Sequence, residues 1–165
     1  MFIRPEIQPA DVPAEFIRSA FAHLEGAERL NSDLISGAWK GTYQRGQVAM
    51  WLAFHATELF LKGFCLMANP NVQVTGHTLP KLRAQLEQVA GPVDFDLPFG
   101  GEAPEEYEHL VRHYERTVHE RFRYPTDRDG SPWEGLVGFT PELFAATLRH
   151  LRAQAEAMHT KMSAP

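Results

Sequence analysis

Apolar residues recur along the chain at the three-and-four spacing of amphipathic helices, with glycine and proline punctuating the series. Phe16, Ile17, Ala20, Phe21, Leu24 and Ala27 form the first series, and Asp11 stands where an N-cap belongs. The pattern leaves the end of this helix open within "NSDLISGAWKG". A second helix is predicted from about Tyr43 to Ala68, with Trp51, Phe54, Leu59, Phe60, Phe64 and Met67 spread over most of its circumference. A helix apolar nearly all round must be surrounded by others. "NPNVQVTGH" reads as a loop, after which Thr78 caps a short helix to about Ala90 with Leu79, Leu82, Leu86 and Val89 inward. A fourth helix is predicted from about Pro104 to Arg123, ending where Pro125 pushes Tyr124 out of the α region. Thr140 and Pro141 make an N-cap and N1 pair for a last helix carrying Leu143, Phe144, Leu148, Leu151, Ala155 and Met158. No β-alternation and no internal repeat stands out. The expected fold is all-α, an up-and-down four-helix bundle with an additional short helix.

The length, 165 residues, suits one domain, with an irregular leader over 1–10 and a tail over 161–165. A formal charge of −5 excludes a broadly basic nucleic-acid coat, so any nucleic-acid contact must come from a local patch. Cys65 is the single cysteine, and no intramolecular disulfide can form. The N-terminal stretch has no apolar h-region. The most apolar window, "VAMWLAFHATELFLKGFCLM", carries His55, Glu58 and Lys62 and reads as a core helix, not a membrane span. The expectation is a cytoplasmic protein without a membrane segment.

One local run departs from the acidic average. "RHYERTVHERFR" (112–123) holds four arginines and two histidines. At about 100° per residue, and with Arg112 at zero, Arg116 falls near about 40°, His119 near about −20° and Arg123 near about 20°. Tyr107, Val111, Tyr114, Val118 and Phe122 occupy a different arc, which should face the core. The stripe therefore points off the monomer's core. Glu108–Arg112 and Arg116–Glu120 are i,i+4 pairs, and Glu115 can reach His119, so spacing alone is compatible with a solvated, ion-paired face.

His55, Glu58 and Lys62 share one side of the second helix, where burial demands partners for their polar ends. Two readings follow: a buried network tying helices together, or a cleft border that positions Arg112 or a substrate. His77 reads as a turn or packing residue. A metal reading rests on two Glu-x-x-His strings, Glu106 with His109 and Glu156 with His159, or on an i,i+4 pair from His109 and His113. Glu58 sits mid-helix and the chain order of the motifs does not match the di-iron carboxylate pattern, so no metal site and no cofactor is expected. No glycine-rich phosphate loop or Ser/His/Asp signature is present.

Three strings carry a resemblance. "AFHATELFLKGFCLM" resembles the second helix of HEPN (higher eukaryotes and prokaryotes nucleotide-binding) domains, where a Glu and a Lys four residues later recur; here these are Glu58 and Lys62. "GHTLPKL" (76–82) is similar to that family's glycine-histidine turn before a leucine-rich helix. "RHYERTVHERFRYP" resembles its later helix, with Arg112, His113 and His119 in the Arg, polar and His positions. The resemblance implies a homodimer whose Arg/His faces line a shared cleft for RNA or a nucleotide. Arg112 and His119 would be catalytic in a metal-independent endoribonuclease, often a toxin with a nucleotidyltransferase antitoxin partner. His113, Arg116, Arg123, Tyr124, Glu58 and Lys62 would contact substrate. The chemistry suits these residues: an imidazole can move the ribose 2′-OH proton, an arginine fork can hold the phosphate, and the product would be a 2′,3′-cyclic phosphate. A non-catalytic nucleotide-binding or accessory module partnering a nucleotidyltransferase is the alternative.

Overall fold

The apolar series that surrounds the second predicted helix becomes the axis around which the others assemble. The computed structural model of the chain describes residues 7–98, 117–118, 120–121, 123–124, 126, 128–132 and 139–164. A 3-10 turn at Pro9–Asp11 leads into α1 (Val12–Ile35), followed by α2 (Tyr43–Ala68), α3 (Leu79–Ala90) and α4 (Pro141–Ser163). Residues 117–118 and 120–121 are also helical, within the predicted fourth helix. Among the described residues there is no strand, only an antiparallel bridge between Thr126 and Pro132. The fold is an all-α helical bundle. Arg112, His113, Arg116 and His119, with the Glu106/His109 string, lie outside the described residues.

α1 runs further than its apolar series, through the polar "NSDLI" to Ile35, and stops before Gly37, whose φ of 73° suits glycine. Asp11, Thr78 and Thr140 occupy the N-cap positions expected of them, yet none makes a side-chain capping hydrogen bond. Each is followed within two residues by proline, which removes one orphan amide from the first turn. Thr42 does cap α2, accepting from the Arg45 amide at 3.3 Å.

α1 and α2 form the most extensive pair in the bundle. Gly26 meets Leu52, His23 meets His55 and Ile17 meets Gly63, so the two helices run antiparallel. Gly63 permits close approach: a Cβ there would lie 2.7 Å from Ile17 Cδ1 and 3.1 Å from Phe16 Cβ. Phe54, Phe60 and Phe64 of α2 fill the core with Leu24, Leu82, Leu86, Phe95, Leu148 and Leu151. Burying side chains of this size contributes about 1.5–3 kcal/mol each. Val118 is fully enclosed in the same core, as the arc assigned to the predicted fourth helix requires.

α4 closes the bundle against α1 through polar contacts. Buried Asn31 donates to the Pro141 carbonyl at 2.8 Å, and Arg152 makes a two-pronged contact with Glu28 at 2.7 and 2.6 Å. Among the described residues no helix is long and apolar enough to cross a membrane.

Candidate functional site

One ridge of α2 carries a row of polar and aromatic residues at helical spacing: Tyr43, Gln47, Trp51, His55, Glu58 and Lys62. Its centre is Glu58, only 2% exposed. Lys62 Nζ, one turn on, donates to Glu58 Oε1 at 2.7 Å. His77 Nδ1, from the turn before α3, reaches the same oxygen at 2.9 Å. His55 Nδ1 lies 3.8 Å from Glu58 Oε2.

Burial alone would raise the Glu58 pKa. The neighbouring His55, the Lys62 hydrogen bond and charge, and His77 outweigh it and hold the carboxyl at about 2, against 4.5 ordinarily. At 3.8 Å His55 is beyond hydrogen-bond range and acts as a nearby donor, not a bonded one. Because the carboxylate is ionised and only accepts, the proton of the His77–Glu58 bond resides on His77 Nδ1.

The ridge continues through aromatic contacts. The Trp51 and His55 rings stack in parallel, 5.6 Å between centroids with 4° between planes. The edge of His23, from α1, meets His55 at 4.7 Å. His23 Nδ1 lies 2.7 Å from the Ser19 carbonyl, which fixes its ring proton on that nitrogen. Three buried atoms on the ridge, Trp51 Nε1, His55 Nδ1 and Glu58 Oε2, have no hydrogen-bond partner among the described residues.

The end of the basic run lies along this ridge. Gln47 Nε2 donates to the Arg121 carbonyl at 2.5 Å, and the Arg123 guanidinium sits over the Trp51 ring, 5.8 Å from its centroid. Tyr124, beside it, is exposed. Of the residues anticipated from sequence, Glu58 and Lys62 are joined directly, and Arg123 connects to them through Trp51 and His55. The position of Arg112, His113, Arg116 and His119 relative to this ridge is not among the described contacts.

Three participants were not anticipated as site residues. Trp51 follows from extending the His55–Glu58–Lys62 spacing one turn back. His77 stands in the expected turn, but its bond to Glu58 comes from the fold of the connection after α2. His23 is set by the pairing of α1 with α2.

Among the described residues, no three His, Cys, Asp or Glu side chains are arranged to hold a metal ion. In the second Glu-x-x-His string, Glu156 pairs with Arg152 at 3.5 Å and His159 packs against the Phe21 ring. The ridge thus offers a cationic fork and imidazoles around an ionised carboxylate paired with Lys62, with the Trp51 ring held between His55 and Arg123, a combination suited to an anionic ligand. No family model, curated protein or solved structure matches the chain.

Proposed function

We propose that this chain is a HEPN-like protein that binds RNA or a nucleotide where the Arg/His stripe meets the Glu58–Lys62 ridge of α2. The observation that carries the reading is the seat of Arg123 over Trp51, which sets the end of the stripe against the ridge. Guanidinium groups hold phosphates, while an exposed aromatic ring such as that of Tyr124, beside Arg123, can accept a base with little sequence preference. In this reading the ligand lies across a cleft shared by two copies of the chain. Arg112 and His119 perform phosphodiester cleavage without a metal, while His113, Arg116, Arg123 and Tyr124 contact substrate.

The test is a single-stranded RNA incubated with purified protein in EDTA. Cleavage to 2′,3′-cyclic ends, abolished by Arg112→Ala or His119→Ala, supports the ribonuclease. Arg123→Ala should weaken binding about fivefold to tenfold, as loss of one phosphate-holding fork. Binding without cleavage selects the non-catalytic module, whose expected partner is a nucleotidyltransferase. A folded protein that neither binds nor cuts RNA or a nucleotide overturns the proposal.

A further inference from the structure

Four residues of α1, Val12, Glu15, Phe16 and Ser19, fall at i, i+3, i+4 and i+7 and so share one face of the helix. With Leu59 of α2 and Ile7, just before the 3-10 turn, they line a pocket of about 410 Å³. Sites that hold small ligands span about 300–1,000 Å³. The pocket continues the α1–α2 groove beside the ridge. His23, one turn beyond Ser19, meets His55, which stands one turn before Leu59. Along α2, Leu59 lies about 12 Å from Trp51, at about 1.5 Å per residue.

Ile7, Val12 and Leu59 give the pocket aliphatic walls, and Phe16 gives it an aromatic one. Among the described residues the Phe16 ring meets no other aromatic ring. Its Cβ is seated against α2 at Gly63, where an added Cβ would lie 3.1 Å away. The polar lining is incomplete. Arg18 Nε donates to Glu15 Oε1 at 3.1 Å, and its Nη2 reaches the same oxygen. Glu15 Oε2 and the Ser19 hydroxyl are left without a protein hydrogen bond among the described residues.

These features select the guest. Arg18 already balances the Glu15 charge, so the pocket requires no second cation. A purely aliphatic guest would cover two polar oxygens with carbon, which costs free energy. What fits is a flat ring with apolar faces, carrying a donor for Glu15 Oε2 beside an acceptor for the Ser19 hydroxyl. An unstacked nucleobase has that form: its face lies on an aromatic side chain and its edge pairs donor with acceptor.

We propose that the pocket of Ile7, Val12, Glu15, Phe16, Ser19 and Leu59 takes a nucleobase, stacked on Phe16 and held at its edge by Glu15 and Ser19. This rests on the RNA or nucleotide reading above and adds to it a base site beyond the Arg123 end of the ridge.

Adenosine, which has no phosphate, isolates the pocket from Arg123. Titrated into isotope-labelled protein, it should shift the NMR signals of the Phe16 ring and the Leu59 methyls, while those of Leu143, exposed on α4, stay in place. Purine riboside, which lacks only the exocyclic amine of adenosine, should bind about tenfold more weakly. Glu15→Ala should erase that difference, and Phe16→Leu should weaken both nucleosides about fivefold. Equal wild-type affinity for the two nucleosides, or no shift at Phe16 and Leu59, overturns the pocket. That wild-type comparison decides the matter should either variant fail to fold.

Fluorescence anisotropy with a labelled octauridylate then separates the two sources of a base. If Phe16→Leu weakens the RNA as it weakens adenosine, the base belongs to a chain. If the RNA is unaffected while adenosine still depends on Phe16, the pocket serves a free nucleotide. RNA that binds through Arg123 while adenosine fails overturns the pocket and leaves the RNA reading standing. Adenosine bound at Phe16 by a protein that holds neither RNA nor AMP keeps the pocket and ends the RNA reading.

Discussion

Replacing Glu58 by glutamine keeps the shape of the side chain and removes its charge. Lys62, 13% exposed, then donates to a neutral oxygen, and the bond from His77 loses its ionic partner. A carboxyl held at about 2, against 4.5 when unfolded, has its ionised form stabilised by about 3 kcal/mol. Breaking a buried ion pair by removing one partner costs about 3–5 kcal/mol, and the residual exposure of Lys62 favours the lower end. Both routes converge on about 3 kcal/mol, a drop of about 6–12 °C in Tm for a chain of this length.

The sign of the pH dependence follows from the lowered pKa. The Glu58 contribution is fully present above pH 4.5 and is lost as pH falls through about 2. Urea unfolding of the wild type and Glu58→Gln, followed by circular dichroism at pH 7, 4 and 3, should show the gap shrinking to under about half by pH 3. A gap below about 1 kcal/mol at pH 7, or one that stays constant down to pH 3, would refute this account of the carboxylate.

Two further predictions concern the core. Cys65 is buried and its pKa is pushed up to about 11 by burial, so the native protein should resist DTNB at pH 8 and react fully once unfolded in guanidinium; a fast native reaction contradicts its placement. Gly63→Ala should cost about 1–3 kcal/mol from overpacking against Ile17, whereas Gly26→Ala, whose new methyl meets Leu52 Cδ1 at an ordinary 3.5 Å, should gain up to about 1 kcal/mol from helix propensity. Equal Tm changes for the two would contradict the close approach of α1 and α2.

What could be read from the sequence was whatever depends on neighbours along the chain. The central position of α2 was visible because its apolar residues cover most of its circumference, and Glu58–Lys62 because i,i+4 residues meet without help from tertiary structure. The end of α1 was not. Asn31 looks like a surface residue, and it is buried because the Pro141 carbonyl arrives from 110 positions away. His77 shows the same limit. Its glycine-histidine turn is legible, but its reach to Glu58 depends on the path of the connection after α2. Thr78 and Thr140 show a third limit: the residue type marks the N-cap position, while a proline one or two residues on changes which amides need an acceptor.

The distance between Asn31 and Pro141 also has a meaning during synthesis. α1 and α2 are joined by the short connection 36–42 and can pair as soon as both have been made. The apolar side of α2 that Phe144, Leu148 and Leu151 eventually help cover must wait for the last helix. Translating the roughly 70 residues between Ala68 and Pro141 takes on the order of 4–15 s at about 5–20 residues per second. For that interval the nascent hairpin carries an uncovered greasy flank, and α4, latched by Asn31 and Glu28, is the segment that ends the exposure.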